Sequence, residues 1–333
     1  MNRTKRTLAL LLALLICAPQ AGTAMACSWA AYNEGEAAIV GRTMDWYEPD
    51  SAVAKGHGRG VKVKAAETPN ALEYTSKYAS IQIHSFGDIV IEAMNEKGLQ
   101  CSILFLDGSE LPYALPDRKD VNVANFPGYV VSNFATVQEV VDSLANINIT
   151  PVSLSTIPGP GGAALDYKPE NTPLHFAMVD ATGDKAVIEF VEGRIKLYHG
   201  KDFDAMTNEP NYDVHLYLES CGYQPNGSNL PADRRARAKQ FLVDMKLRGV
   251  KDQKRALFAM RGLVSSVWAG TEQVDQIENE VYPTIWAVLA DQKAPSYYLW
   301  RYNAWDTEYY DFGAFEKDKP EVVVLKPATP PAL

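Results

Sequence analysis

Runs of apolar residues, and the turn residues that break them, divide this chain before any chemistry is considered. Ala37 to Asp45 is a β-rich run, and Ser80 to Met94 reads as two short strands. Gln100 to Leu106 alternates and is apolar enough for a central strand. Thr136-Val137-Gln138-Glu139 is a capping box, in which hydroxyl and carboxylate satisfy free amides of a first helical turn. After it Val137, Val140, Val141, Leu144 and Ile147 fall on one helical face, predicting an amphipathic helix through that stretch.

From Pro151 to Pro173 periodicity stops and Pro, Gly and Ser accumulate, which predicts a long loop or insertion with a functional or assembly role. A β-meander follows: Leu174 to Asp180, Ala186 to Val191 and Arg194 to Tyr198, broken at Thr182-Gly183-Asp184 and Glu192-Gly193. Asp233 to Leu247 and Asp252 to Val264 read as helices, and Thr284 to Ala290 with Tyr297 to Tyr302 as a late hairpin. The Pro-rich tail from Lys326 is expected to be loose. Strands and helices in alternating blocks predict an α+β layering, not a βαβ array. No internal repeat, Gly-rich phosphate loop, HExxH pair or G-x-S-x-G elbow occurs.

The N-terminus changes the chain to be considered. Arg3, Lys5 and Arg6 precede an apolar run from Leu8 to Ile16, and Ala24-Met25-Ala26 supplies small residues at −3 and −1 of a cleavage site. The run falls short of the roughly 20 residues a membrane span needs. Residues 1–26 are therefore expected to be an export signal, and residues 27–333 a single domain in the periplasm or outside the cell. Losing three positive charges takes the formal charge from −9 to −12, which argues against nucleic acid or an anionic membrane as partner. Of the four cysteines Cys17 leaves with the signal, so Cys27, Cys101 and Cys221 remain, an odd number for an oxidising compartment. Pairing Cys101 with Cys221 still leaves Cys27 over.

Cleavage after Ala26 would put a thiol and an α-amine on one residue, with ordinary pKa values of about 8.5 and about 7.7–8. The amine can take the thiol proton directly or through water, giving a nucleophile and base without a distant histidine. A lipidated cysteine is the competing reading, although Ala24 and Met25 fit a lipoprotein box poorly.

Four further motifs sharpen the picture: Gly41-Arg42-Thr43-Met44-Asp45-Trp46, Met94-Asn95-Glu96-Lys97-Gly98-Leu99, Met206-Thr207-Asn208-Glu209-Pro210 and Pro231-Ala232-Asp233-Arg234. With Cys27, in order and rough spacing, they resemble the choloylglycine hydrolase family of bile salt hydrolases and penicillin V acylases. The exported form and the Asp45-Trp46 pair look most like its Gram-negative branch. The resemblance implies an N-terminal-nucleophile (Ntn) hydrolase with a four-layer αββα sandwich. It implies Cys27 as nucleophile, Arg42 beside its sulfur, Asp45 as the carboxylate holding the α-amine, Asn208 as oxyanion-hole donor and Arg234 in the charge network. It also implies homotetramers as the assembly, small-molecule amides as substrates, and neither metal nor organic cofactor. Conjugated bile salts, phenoxymethyl penicillins and N-acyl homoserine lactones are the candidates.

Blander readings stand beside these. Arg42 and Asp45 could be a salt-bridged pair at a strand end, Asn208 a turn residue, and Arg234, Arg235 and Arg237 a solvated helix face. Asn95 reads as a turn between strands, not a catalyst. A non-catalytic or lipidated periplasmic binding protein on the same fold also stays open. In one respect the sequence departs from part of the family: ten residues beyond Asn95, where some members carry a polar side chain, stands Phe105. A phenyl ring cannot donate to an oxyanion, so a second donor would be a backbone N–H. The ring is expected to line an acyl pocket with Trp46.

Overall fold

Alternation along Ser28–Glu34 establishes the layers. Trp29 and Ala31 enter one apolar cluster, whereas Ala30 and Tyr32 enter another on the opposite face. The computed structural model describes residues 27–47, 52–155, 157, 172–274 and 282–331. The expected export signal and most of the expected loop 151–173 lie outside the described residues.

Six antiparallel strands form the first sheet, in the order Ala205–Thr207, Ser28–Glu34, Ala37–Asp45, Thr284–Asp291, Ser296–Arg301 and Glu308–Asp311. The second sheet has eight strands: Arg194–His199, Lys185–Val191, Leu174–Val179, Gln100–Phe105, Ile89–Asn95, Ser80–Ser85, Val53–His57 and Val322–Val324. Val40, Met44, Trp286 and Val288 of the first sheet meet Ile81, Ile91, Leu104 and Ala177 of the second in one shared core. The first sheet's outer face is covered by helices Pro231–Leu247 and Gln253–Ser266, which supply Leu242, Met245, Leu257 and Met260. The second sheet's outer face is covered by helices Phe126–Asn133 and Val137–Ser143, through Phe126, Val130 and Val140. The result is the αββα sandwich. Central strands Gln100–Phe105 and Leu174–Val179 are buried on both faces, and their polar residues Gln100, Ser102 and His175 are buried with the apolar ones.

Gly41 lets the outer helix come close. A Cβ there would meet Val264 Cγ2 at 2.6 Å and Met260 Sδ at 2.9 Å. The strand it lies on carries Arg42 and Asp45, so this contact also seats the site.

The meander, the late hairpin, both long helices and the capping box appear where the sequence puts them, the box with both reciprocal bonds. Two expectations are corrected. The helix after Thr136 ends at Ser143, and Ile147 begins a strand, Ile147–Thr150, paired in parallel with Lys119–Asn122. The tail is tied down as far as Ala328, whose N–H donates to Tyr309 O, while Leu325 N–H donates to Ala54 O. Strand Ser28–Glu34 and helices Phe126–Asn133 and Tyr212–Ser220 were not legible in the pattern. Helix Phe126–Asn133 is buried from Phe126 through Ser132, so it has no polar stripe to reveal its period.

No described helix is long and apolar enough to cross a membrane.

Candidate active site

Cys27 begins the described chain at the head of strand Ser28–Glu34, between the two sheets, and is 2% exposed. Its sulfur lies 3.8 Å from Met44 Sδ and 3.9 Å from Asp45 O, with Arg42 Nη2 at 4.0 Å. Arg42 reaches this place because it shares a face of its strand with Val40 and Met44, the face turned to the inter-sheet core. Its guanidinium donates to Ile103 O at 2.8 Å and lies over Trp286, with Cζ 4.9 Å from the ring centre. Among the described residues Arg42 Nε and Nη1 have no hydrogen-bond partner. Burial pushes the Cys27 thiol up from its ordinary value; Arg42 pulls it down, but less strongly. The thiol is therefore held neutral.

Asn208 stands at the centre of the polar cluster. Cys27 N donates to its Oδ1 at 2.5 Å, and Arg234 Nη2 donates to the same oxygen at 3.1 Å. Its Nδ2 donates to Phe105 O at 2.7 Å, which leaves a second hydrogen on that nitrogen for another acceptor. His215, pushed down to about 3 by burial and by Arg235, is neutral and sets Nε2 3.1 Å from Asn208 O. His215 thus holds the Asn208 backbone, while Cys27 N, Arg234 and Phe105 O fix the side chain's orientation.

Arg234 enters from the first turn of helix Pro231–Leu247 and is fully buried. It donates to Cys27 O and Ser28 Oγ at 2.7 Å each and to Asn229 O at 2.8 Å, and Asp45 Oδ2 lies 3.8 Å away. Arg235 is buried too, donating to Ala205 O at 3.1 Å and pairing with Glu219 at 2.8 Å. Arg234 and Arg235 are therefore not a solvated helix face.

Asp45 lies on the opposite face of the strand from Arg42. Thr284 Oγ1 donates to Oδ1 at 2.6 Å and Thr43 Oγ1 reaches Oδ2 at 3.4 Å. Burial pushes its carboxyl up to about 7, against the opposing pull of Arg234, the two threonines and Arg42. The hydrogen-bond partner of Cys27 N is Asn208 Oδ1, and Asp45 acts on this residue through charge. The Thr43-x-Asp45 spacing could have flagged Thr43; nothing local points to Thr284.

A pocket opens beside the sulfur, lined by Cys27, Arg42 and apolar side chains that include Trp46, Phe86 and Phe105. The ring of Trp46 lies 5.2 Å from Phe86 and 6.2 Å from Phe105. The volume is about 30 Å³, room for a water or two. Phe86 was missed by sequence reasoning. It sits in the Ser85–Asp88 turn with φ of 49°, a left-handed conformation that costs a bulky residue energy and often marks a functional site. Asn95 is placed elsewhere: it donates to Val131 O and Phe134 O and accepts from Lys97 N and Leu99 N, a turn holding the outer helix. Cys101 and Cys221 are both free thiols. No group of three or more metal-ligating side chains occurs among the described residues.

Comparison with known proteins agrees with this geometry. Residues 27–225 match the family described as linear amide C-N hydrolases, choloylglycine hydrolase family. A penicillin V acylase of Pectobacterium atrosepticum is 30% identical over 220 residues, covering 62% of this chain and 56% of that protein. A bile salt hydrolase/transferase of Clostridium perfringens is 30% identical over 164 residues, covering 46% of this chain and 44% of that protein. The chain thus spans about half the length of the curated relatives it matches. Among solved structures, penicillin V acylase from Agrobacterium tumefaciens superposes with TM-score 0.74 at 23% identity, covering 89% of this chain and 90% of that one. A mutant of conjugated bile acid hydrolase from Clostridium perfringens superposes with TM-score 0.75 at 21% identity, covering 90% and 96%. At such identities these two likenesses establish the fold. With the family match over residues 27–225 and a buried cluster of Cys27, Arg42, Asp45, Asn208 and Arg234, the chain belongs to the linear amide C-N hydrolases of the choloylglycine hydrolase family.

Proposed function

We propose that this chain is an exported amidohydrolase that cleaves linear amides through a thioester on Cys27, after residues 1–26 are removed. The observation that carries the reading is the position of Cys27: its nitrogen rests on Asn208 Oδ1, and its sulfur lies beside Arg42 at the mouth of an apolar pocket. The family match begins at the same residue, and the charged, apolar and Ala24-Met25-Ala26 segments before it support export and cleavage.

The proposed steps are these. The freed α-amine takes the proton of the neutral thiol, and the thiolate forms a C–S bond to the amide carbon. Negative charge collects on the carbonyl oxygen, where the second Asn208 N–H is the donor available; such a donor is worth about 3–4 kcal/mol in a dry site. The ammonium then returns the proton to the leaving nitrogen as the C–N bond breaks. Water, deprotonated by the same amine, hydrolyses the thioester, releasing a carboxylic acid and regenerating the thiol. Arg234, bonded to Cys27 O and to Asn208 Oδ1, holds the nucleophile and the donor in one frame.

Relatives named for penicillin V and for bile salts frame the substrate choice. Among the described residues the pocket lining, apart from Cys27 and Arg42, is aliphatic and aromatic, with the Trp46 indole N–H its one further polar group. A hydroxylated steroid would strand its hydroxyls there, whereas a phenoxyacetyl or alkyl acyl group would not. The proposed substrates are therefore phenoxymethyl penicillins and N-acyl homoserine lactones ahead of conjugated bile salts. Periplasmic or secreted location and homotetrameric assembly belong to the same proposal.

Intact mass of the exported protein should show a start at Cys27 with no lipid, and amine release from a panel of the three amide classes should be lost at least a hundredfold in Cys27→Ser. A lipid adduct, or undiminished turnover in Cys27→Ser, overturns the mechanism. No amine release from any class would favour a binding protein on this fold.

A further inference from the structure

Two consecutive side chains grip one short piece of chain beside the site. Asn208 Nδ2 donates to Phe105 O at 2.7 Å, and Asp107 N donates to Glu209 Oε1 at 2.6 Å. Between them Leu106 N donates to Pro173 O at 2.9 Å, so the segment 105–107 is fixed at all three residues. We propose that Glu209 is a positioning residue for the Asn208 amide, and that it works as a neutral acid. This rests on the function proposed above.

The two carboxyl oxygens differ. Oε1 accepts the Asp107 N–H, whereas Oε2 is shut off from solvent and has no hydrogen-bond partner among the described residues. An ionised carboxylate with a dry, unbonded oxygen is expensive; a carboxylic acid with its hydroxyl at Oε2 is far less so. The charged groups facing it are the Asp107 carboxylate, which pushes its pKa up, and the Arg234 guanidinium, which pulls it down with the help of the Asp107 and Glu209 N–H groups. Burial outweighs these and takes the carboxyl up to about 8.

The proton matters for catalysis because of where the charge would go. Arg234 also bonds Asn208 Oδ1, so Glu209 and the proposed oxyanion site share one cation. A negative Glu209 would draw on that cation while the substrate oxygen gains its own negative charge, and like charges oppose each other. Neutral Glu209 keeps the grip on Asp107 without that opposition. Ionisation of the α-amine has the opposite sign, since losing its proton creates the base.

The test is the pH dependence of kcat, measured with a phenoxyacetyl amide from pH 6 to 9.5. If only the protonated form works, kcat of the wild type relative to Glu209→Gln falls about tenfold from pH 7 to pH 9, the rise from the α-amine being common to both. Glu209→Gln keeps an acceptor for Asp107 N–H and cannot ionise, so its kcat follows the α-amine alone and should rise, not fall, over the same range. Glu209→Ala releases Asp107 and should lower kcat at pH 7 at least tenfold with KM little changed. Superimposable profiles for wild type and Glu209→Gln overturn the proposal. NMR titration of the labelled Glu209 carboxyl in Cys27→Ala protein is independent of turnover. A midpoint in the ordinary carboxylate range overturns the proposal by itself, whereas a wild type that hydrolyses no amide, with Glu209 titrating high, overturns only the catalytic reading.

Discussion

Asn208 has two atoms with separate jobs, and substitution can divide them. Its Oδ1 receives Cys27 N and Arg234 Nη2, while one hydrogen of Nδ2 goes to Phe105 O. Asn208→Ala breaks all three bonds inside a closed site. Leaving a buried polar group without a partner costs about 1–3 kcal/mol, so with partial relaxation a loss of about 3–5 kcal/mol in unfolding free energy is expected. Loss of the proposed oxyanion donor should independently lower kcat by about 10²–10³. Asn208→Asp is the discriminating variant. A carboxyl this deeply buried takes up a proton, keeps Oδ1 as acceptor, and donates its single hydrogen to Phe105 O. It should lose about 1 kcal/mol of stability or less. It has no second hydrogen for an oxyanion, so kcat should still fall about a hundredfold. Urea unfolding at pH 6.5 measures the first quantity, with an unchanged m-value confirming that the denatured state is the same. Amine release from a phenoxyacetyl amide measures the second. Should Asn208→Asp keep kcat within fivefold of wild type, Asn208 is a structural bridge and the oxyanion is stabilised elsewhere.

Asp45 makes stability depend on pH. Its folded pKa of about 7 lies above the ordinary value of 3.8, so the folded chain holds the proton more tightly. That contribution is full below 3.8 and disappears as pH rises to 7, a span of about 4 kcal/mol at about 1.4 kcal/mol per pH unit. In the chain with residue 27 still in peptide linkage, stability relative to Asp45→Asn should fall over that window, and parallel urea series at pH 4 and pH 8 that show no relative change would refute the burial argument. Phe105→Ala removes a ring packed on Trp46 and should weaken binding of an acyl group by about 1.5–3 kcal/mol or less, seen as a higher KM with kcat little altered. Abolished turnover with intact KM would instead make the ring a support of catalytic geometry. Thr136→Ala removes the hydroxyl that accepts from Glu139 N–H, and about 1 kcal/mol of stability should go with it; thermal unfolding unchanged within error would deny the cap its role.

What the sequence determined by itself is whatever rests on near neighbours. The β-rich run Ala37–Asp45, the alternating Gln100–Phe105, the Thr136–Glu139 box and the Gly-broken meander depend on residues a few positions apart, and each appears in place. The motifs around Arg42, Asp45, Asn208 and Arg234 marked those residues in advance, although they span nearly 200 positions. Only the tertiary structure decided how they act. Ile147 continues a helical spacing, yet pairing with Lys119–Asn122 draws it into a strand, because a distant partner outweighs a weak local preference. Arg234 looks like part of a solvated run, yet packing gives it four acceptors, on Cys27, Ser28, Asn208 and Asn229, and removes water. Whether Asp45 and Glu209 carry charge depends on desolvation, a property of the finished packing that no spacing encodes. Phe86 joins the pocket wall only because a turn from the facing sheet sets it against Trp46. Local order is written in neighbouring residues, whereas burial, and the chemistry that burial tunes, exists only once both sheets have closed on each other.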